Sequence, residues 1–282
     1  MSEIKVDIRE NTRDIKQELK KKLTVSISMV LLAFVAIATA TYAWFSLALT
    51  GVISDMTLQI TTGDALKMNT VDSAVYDDYV SIITNAMINS QLSVHNLDDL
   101  RLAPLSTMDG KTFKNYAAHT AGTAAVDIPK SSKMLLQLDV WFWAKTEDGG
   151  SMDIKLTELN DSALTDGTVV TGSDSSLGNN TLLQQERIDE CVRISFTDTV
   201  TGTTVIYEPN KTKSGNSTWS GGPTTFGEGD FASQTLFSLT HDTRKQIIIR
   251  VWIEGNDAEC VNTTALNVSA AKLLMRLKFT AS

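Results

Sequence analysis

Two rhythms divide this chain. Residues 23–54 read LTVSISMVLLAFVAIATATYAWFSLALTGVIS, hold no charged side chain, and follow directly on Lys20-Lys21-Lys22. A charge-free run of this length can cross about 30 Å of hydrocarbon as a helix. From Met56 onward the pattern changes to period two. Met56, Leu58 and Ile60 alternate with Thr57, Gln59 and Thr61, the pattern of a strand with one buried face.

The same alternation recurs in longer stretches downstream. Met134, Leu136, Leu138, Val140, Phe142 and Ala144 share one face of a strand, opposite Gln137, Asp139, Trp141, Trp143 and Lys145. The turn Glu147–Ser151 then leads into Met152, Ile154 and Leu156, which predicts a hairpin. Ile188, Val192, Ile194 and Phe196 oppose Cys191, Arg193 and Ser195, with a short partner strand over 203–207 after Thr201-Gly202. Ile247, Ile249, Val251 and Ile253 point inward, and Gln246, Arg250, Trp252 and Glu254 outward. The last strand, 272–280, sets Leu273, Met275, Leu277 and Phe279 against Lys272, Arg276, Lys278 and Thr280. One apolar and one polar face per strand is what a two-layer antiparallel sandwich requires. A helical stripe of Val75, Tyr79, Ile82, Ile83, Ala86 and Met87 predicts a helix over 72–90.

The expected fold is therefore all-β: a jelly-roll-like antiparallel β-sandwich with one or two short helices, preceded by an N-terminal hydrophobic signal or transmembrane helix. Its parts are a charged cytoplasmic segment 1–22, the signal or transmembrane helix 23–43, an apolar segment 44–60 and the sandwich 61–282. The lysine cluster keeps its own end in the cytoplasm by the positive-inside bias, so the remainder is extracellular or at the cell surface. Ala38-Thr39-Ala40 and Thr41-Tyr42-Ala43 offer small residues to a signal peptidase. Segment 1–22 is long for the start of an ordinary signal peptide, so a retained membrane anchor stays open beside a cleaved signal, as does a pilin-like retained helix.

Charge narrows the partners. The chain has net charge −8, and residues 1–43 carry more basic than acidic groups, so the exported part is more acidic than the whole. That disfavours nucleic acid, which rewards clustered Lys and Arg. Acidic turns at Asp77-Asp78, Asp98-Asp99 and Glu254–Asp257 have the oxygen chemistry for weak Ca²⁺ contact but not the spacing of a dedicated loop. Cys191 and Cys260 both lie on the exported side, where a disulfide between them would persist; two separately buried thiols are the alternative.

Catalytic motifs are missing. His95, His119 and His241 form no metal-ligand spacing, and neither a G-x-S-x-G elbow nor a phosphate-binding glycine loop occurs. No catalytic, cofactor or metal residue is expected, and the chain reads as a non-enzyme. Trp141, Trp143 and Trp252 stand on the polar faces of two strands, either as interface anchors or beneath a crossing loop.

Thr41-Tyr42-Ala43-Trp44-Phe45 closes the hydrophobic run and is followed by a short spacer and an alternating strand. This arrangement resembles the TasA/camelysin group of surface proteins of Gram-positive bacteria. Residues 102–110 (LAPLSTMDG), 193–196 (RISF), 250–255 (RVWIEG) and 277–279 (LKF) are similar to relatives of that group in scattered pieces. The resemblance implies export through a dedicated signal peptidase with cleavage between Ala43 and Trp44. It also implies self-assembly into extracellular fibres, the N-terminal segment of one subunit adding as a strand to its neighbour. Mapped here, the donor strand would present Trp44, Phe45, Leu47, Leu49, Val52, Met56, Leu58 and Ile60. The protease activity carried by the camelysin name is not expected, because no zinc-ligand motif is present.

Overall fold

The computed structural model describes residues 19–33, 51–61, 65–92, 96–115, 128–158, 167–172, 191–209, 223–255 and 271–282. Two compact units divide the chain, Met1–Leu47 and Ala48–Ser282. In the first, residues 19–33 are helical (α1). Leu23, Val25, Ile27, Met29, Val30, Leu31 and Leu32 of α1 are all exposed. Among the described residues no helix is long and apolar enough to cross a membrane. The predicted span 23–43 continues past residue 33, outside the described residues.

The second unit is built from strands β1 (Gly51–Ile60), β2 (Leu66–Asn69), β3 (Ile82–Ile83), β4 (Pro104–Ser106), β5 (Lys114–Asn115), β6 (Leu136–Ala144) and β7 (Ser151–Leu156). They continue with β8 (Val169–Gly172), β9 (Val192–Asp198), β10 (Thr204–Tyr207), β11 (Thr224–Phe226), β12 (Phe237–Thr240), β13 (Thr243–Glu254) and β14 (Ala271–Ala281). Among the described residues the short helix α2 (Asn85–Leu92) and 3-10 turns at Tyr76–Asp78, Leu97–Asp99 and Glu228–Asp230 interrupt them. The first sheet runs β12-β7-β14-β1-β3, with β8 also on β14. The second runs β11-β10-β9-β13-β4-β5, with β6 beside β13 and β2 beside β6.

A single apolar cluster joins the sheets. The first contributes Ile53, Met56, Leu58, Leu273, Met275, Leu277 and Phe279, and the second Leu136, Leu138, Val140, Phe142, Ile247, Ile249 and Val251. Phe142 packs edge-on to Phe279 at 5.3 Å and against Phe237 at 4.9 Å. The inward faces predicted for β6, β13 and β14 are these buried faces. The fold is all-β, and the two sheets sandwich one core.

Four expectations change. The sheets are mixed rather than antiparallel, because β1/β14, β10/β11 and β4/β13 run parallel. The helix predicted over 72–90 is helical only in α2 and in a single 3-10 turn, Tyr76–Asp78. Ile82 and Ile83 leave helical geometry to pair with β1, so their β-branched side chains follow a strand edge instead. The hairpin predicted across 147–151 does not form: β6 joins β13, and β7 joins β12 and β14 in the other sheet, so the turn is a corner between layers. Finally, the face carrying Arg250, Trp252 and Glu254 is buried rather than outward. The segment over β4, β5 and the turn between them covers that side of the second sheet, with Leu105, Phe113, Ile206 and Trp252 forming a second apolar cluster.

Candidate functional site

The strand nearest the N-terminal apolar run takes an interior place. β1 lies between β14 and β3 and pairs with β14 in parallel from Gly51↔Ala271 to Ile60↔Phe279. Ile53, Met56 and Leu58 are fully buried. The alternation needed to bury all three is repaired by a bulge. The register slips between Ile53 and Asp55, so Ile53 and Met56, three positions apart, reach the same core. Ser54 Oγ donates to Leu273 O at 3.0 Å inside this irregularity.

Past the bulge β1 is held from both sides. Asn85, the first residue of α2, turns its amide onto the strand. Met56 N–H donates to Asn85 Oδ1 at 2.8 Å, and Asn85 Nδ2 donates to Asp55 Oδ1 at 2.7 Å. Ile60 N–H donates to Ser81 O at 2.9 Å, and Thr61 N–H to Phe279 O at 2.9 Å.

Of the predicted assembly residues, Met56 and Leu58 are thus core residues of the chain's own sheet, and Val52 and Ile60 are half-buried beside them. The segment set apart as 44–60 is, over 51–60, a strand of the sandwich. Trp44, Phe45, Leu47 and Leu49 lie outside the described residues, as do the cleavage residues Ala43 and Trp44. Cys191 is buried just ahead of β9, and Cys260 lies outside the described residues.

The outer face of the second sheet holds a buried polar layer. Arg193 donates to Glu208 Oε1 at 2.8 Å with both side chains 3% exposed. Trp252 Nε1 donates to Glu254 Oε2 at 3.1 Å. Arg250 donates from Nε to Gln137 Oε1 at 2.9 Å and from Nη1 to Thr197 Oγ1 at 3.0 Å. Burial pulls the Arg250 guanidinium below its ordinary value, against the opposing pull of Asp139 and Asp109. Ser195 Oγ donates to Gly110 O at 2.8 Å, tying the covering turn to β9.

Trp143 and Trp252 fall beneath crossing segments. Trp252 is fully buried against Phe113 at 5.0 Å. Trp143 is 8% exposed, with Tyr76 and Tyr79 edge-on at 5.4 and 5.3 Å, and its Nε1 donates to Asp242 Oδ1 at 3.0 Å. Trp141 is half-buried.

Among the described residues the acidic turns do not converge, and Asp257 lies outside those residues. Asp77 and Asp78 are exposed on the 3-10 turn, Asp99 Oδ2 accepts the Asn96 N–H, and Glu254 is buried with Trp252. Among the described residues, no group of three or more His, Cys, Asp or Glu is placed to hold a metal ion. His241 Nδ1 accepts the Thr146 N–H at 3.0 Å in the corner after β12; His95 and His119 lie outside the described residues.

Sequence reasoning missed the Asn85 clamp, the Arg193–Glu208 pair and the close approach of Gly110. An asparagine heading a helix and a glycine after Asp109 were the only signals, and neither names its distant partner. No protein-family model matches the chain, and no curated protein or solved structure matches it either.

Proposed function

We propose that this chain is an exported structural subunit that polymerises into extracellular filaments or matrix fibres by sharing its N-terminal segment between copies. The placement of β1 carries the reading. This strand directly continues the charge-free run, buries three core side chains, and pairs with the last strand, far away in sequence. A slot filled from the far end of the chain can be filled equally well by the same segment of a second copy. Main-chain hydrogen bonds supply the affinity, and the alternate buried side chains supply the register. Trp44, Phe45, Leu47 and Leu49 extend the donated segment, cleavage falls between Ala43 and Trp44, and the sandwich is of the jelly-roll kind. Its role is structural rather than catalytic, its partner is a second copy of itself, and Cys191 and Cys260 form a disulfide outside the cell.

The exposed apolar side chains along α1 favour a second reading, in which the helix is retained as a membrane anchor. N-terminal sequencing of the protein taken from the cell surface separates the two. Trp44 as first residue is expected for the filament subunit, and Met1 or Ser2 for the anchor.

A further inference from the structure

β1 changes character at Ser54. Over Gly51–Ile53 the pairing described is with Ala271–Leu273 of β14 alone. From Asp55 on, the strand is gripped along both edges. β14 lies on one side, and the Asn85 amide, Ile82-Ile83 and Ser81 O lie on the other. Asn85 imitates a missing neighbour strand, since its side-chain amide accepts and donates as a peptide group does. Between the two stretches sits the one-residue slip in register, where a strand bends and its ladder is interrupted.

Separating the upstream stretch breaks one short ladder and withdraws one core side chain, Ile53. Separating the downstream stretch breaks two ladders and the Asn85 clamp together. Local opening starts where fewest contacts hold. We infer that Ser54 is the hinge at which strand exchange between copies stops. Residues up to Ile53 pass to the Ala271–Leu273 edge of a second copy, where Ile53 fills the core position it fills here. Asp55–Ile60 stay in their own sheet, latched by Asn85. The inference rests on the reading that the N-terminal segment is shared between subunits.

Two cysteine pairs placed on register partners test it: Val52→Cys with Lys272→Cys, and Gln59→Cys with Lys278→Cys. Each variant is made isotope-labelled and unlabelled, the two are mixed before assembly, and the filaments are oxidised. Mass spectrometry of the linked peptides then reports whether the two halves come from one copy or two. Mixed-isotope links at Val52/Lys272 with single-isotope links at Gln59/Lys278 are expected. Mixed links at both pairs overturn the hinge and leave the shared segment standing. Single-isotope links at both pairs, in filaments that do form, overturn the shared segment and the hinge with it.

Asn85→Ala reads the latch without added cysteines. In the unassembled chain, amide exchange at Met56 should rise on the order of fivefold, as expected for one lost hydrogen bond. Exchange at Val52 should not change. Unchanged exchange at Met56 overturns the latch.

Discussion

Leu58 lies beside Leu277 in one parallel ladder, and neither side chain is exposed. They belong to the first and last strands of the sandwich, so the first sheet is complete only when the two ends of the chain meet. Closing so long a loop is slow and costs entropy.

The core assignment is tested at neighbouring positions of β14. Leu277→Ala should cost about 2–5 kcal/mol through lost burial and a cavity. Leu277→Asp should cost more, because it adds an unpaired buried carboxylate. Lys278→Glu, on the half-buried opposite face, should stay within about 0.5 kcal/mol. Denaturant unfolding of the three variants checks the order, and a silent Leu277→Asp would contradict the face assignment.

Arg250 looks like a solvent-facing residue by parity, yet it is buried with two hydrogen bonds across strands. Arg250→Ala should cost about 1–3 kcal/mol by removing the cross-strand bonds to Gln137 and Thr197, of which Thr197 keeps its bond to Thr204. Arg250→Glu should cost more, since it sets a second carboxylate near Asp139. Chemical denaturation of both variants measures this, and wild-type stability in Arg250→Glu would show the face to be open.

Gly110 combines a left-handed φ of 65° with a close approach. A Cβ there would meet Ile206 Cδ1 and Thr204 Cγ2 at 3.1 Å. Gly149 has φ 72° and nothing within 4 Å. Gly149→Ala should cost about 1 kcal/mol for the backbone alone. Gly110→Ala should exceed it by the cost of crowding β10, and equal melting temperatures would remove that packing contribution.

Asp198 supplies a pH signature. Burial alone would raise its carboxyl. Hydrogen bonds from Lys245 and from the Val200 and Thr201 N–H groups outweigh that and hold it below the ordinary carboxylate range. A depressed folded-state value stabilises the fold above the unfolded-state value, near pH 4, and the gain is lost as pH falls through the lower folded value. Asp198→Asn should therefore narrow the stability gap between neutral and acidic pH, as measured by thermal melts across that range. An unchanged pH profile would contradict the assignment.

Alternation made β6, β13 and β14 legible, because each has a face in the common core and length enough to show its period. The four-residue β2, β8 and β12 and the two-residue β3 and β5 carry too few positions to register a rhythm. The outer face of β13 misled because cover by Phe113 and Gly110 comes from a segment more than a hundred residues upstream, which parity within one strand cannot report. The turn after β6 forms over 147–149, but the hairpin expected from it does not, because turn residues do not specify whether the next strand stays in its layer. At β1, the alternation from Met56 to Ile60 was legible, while the bulge that brings Ile53 into phase was not. Asn85 gave no signal because its role depends on a strand thirty positions away.

The most direct measurement compares filament formation by electron microscopy in the chain starting at Trp44 and in one starting at Thr61. Truncation removes Ile53, Met56 and Leu58 from the core, worth roughly 5–9 kcal/mol at about 1.5–3 kcal/mol each. That is comparable with the whole stability of an ordinary domain, about 5–15 kcal/mol. The shorter chain should be marginally folded and form no filaments. A peptide of residues 44–60 should restore its cooperative melting by filling the slot beside β14, again without filaments. Filaments of equal length and number from both chains would contradict assembly through the N-terminal segment.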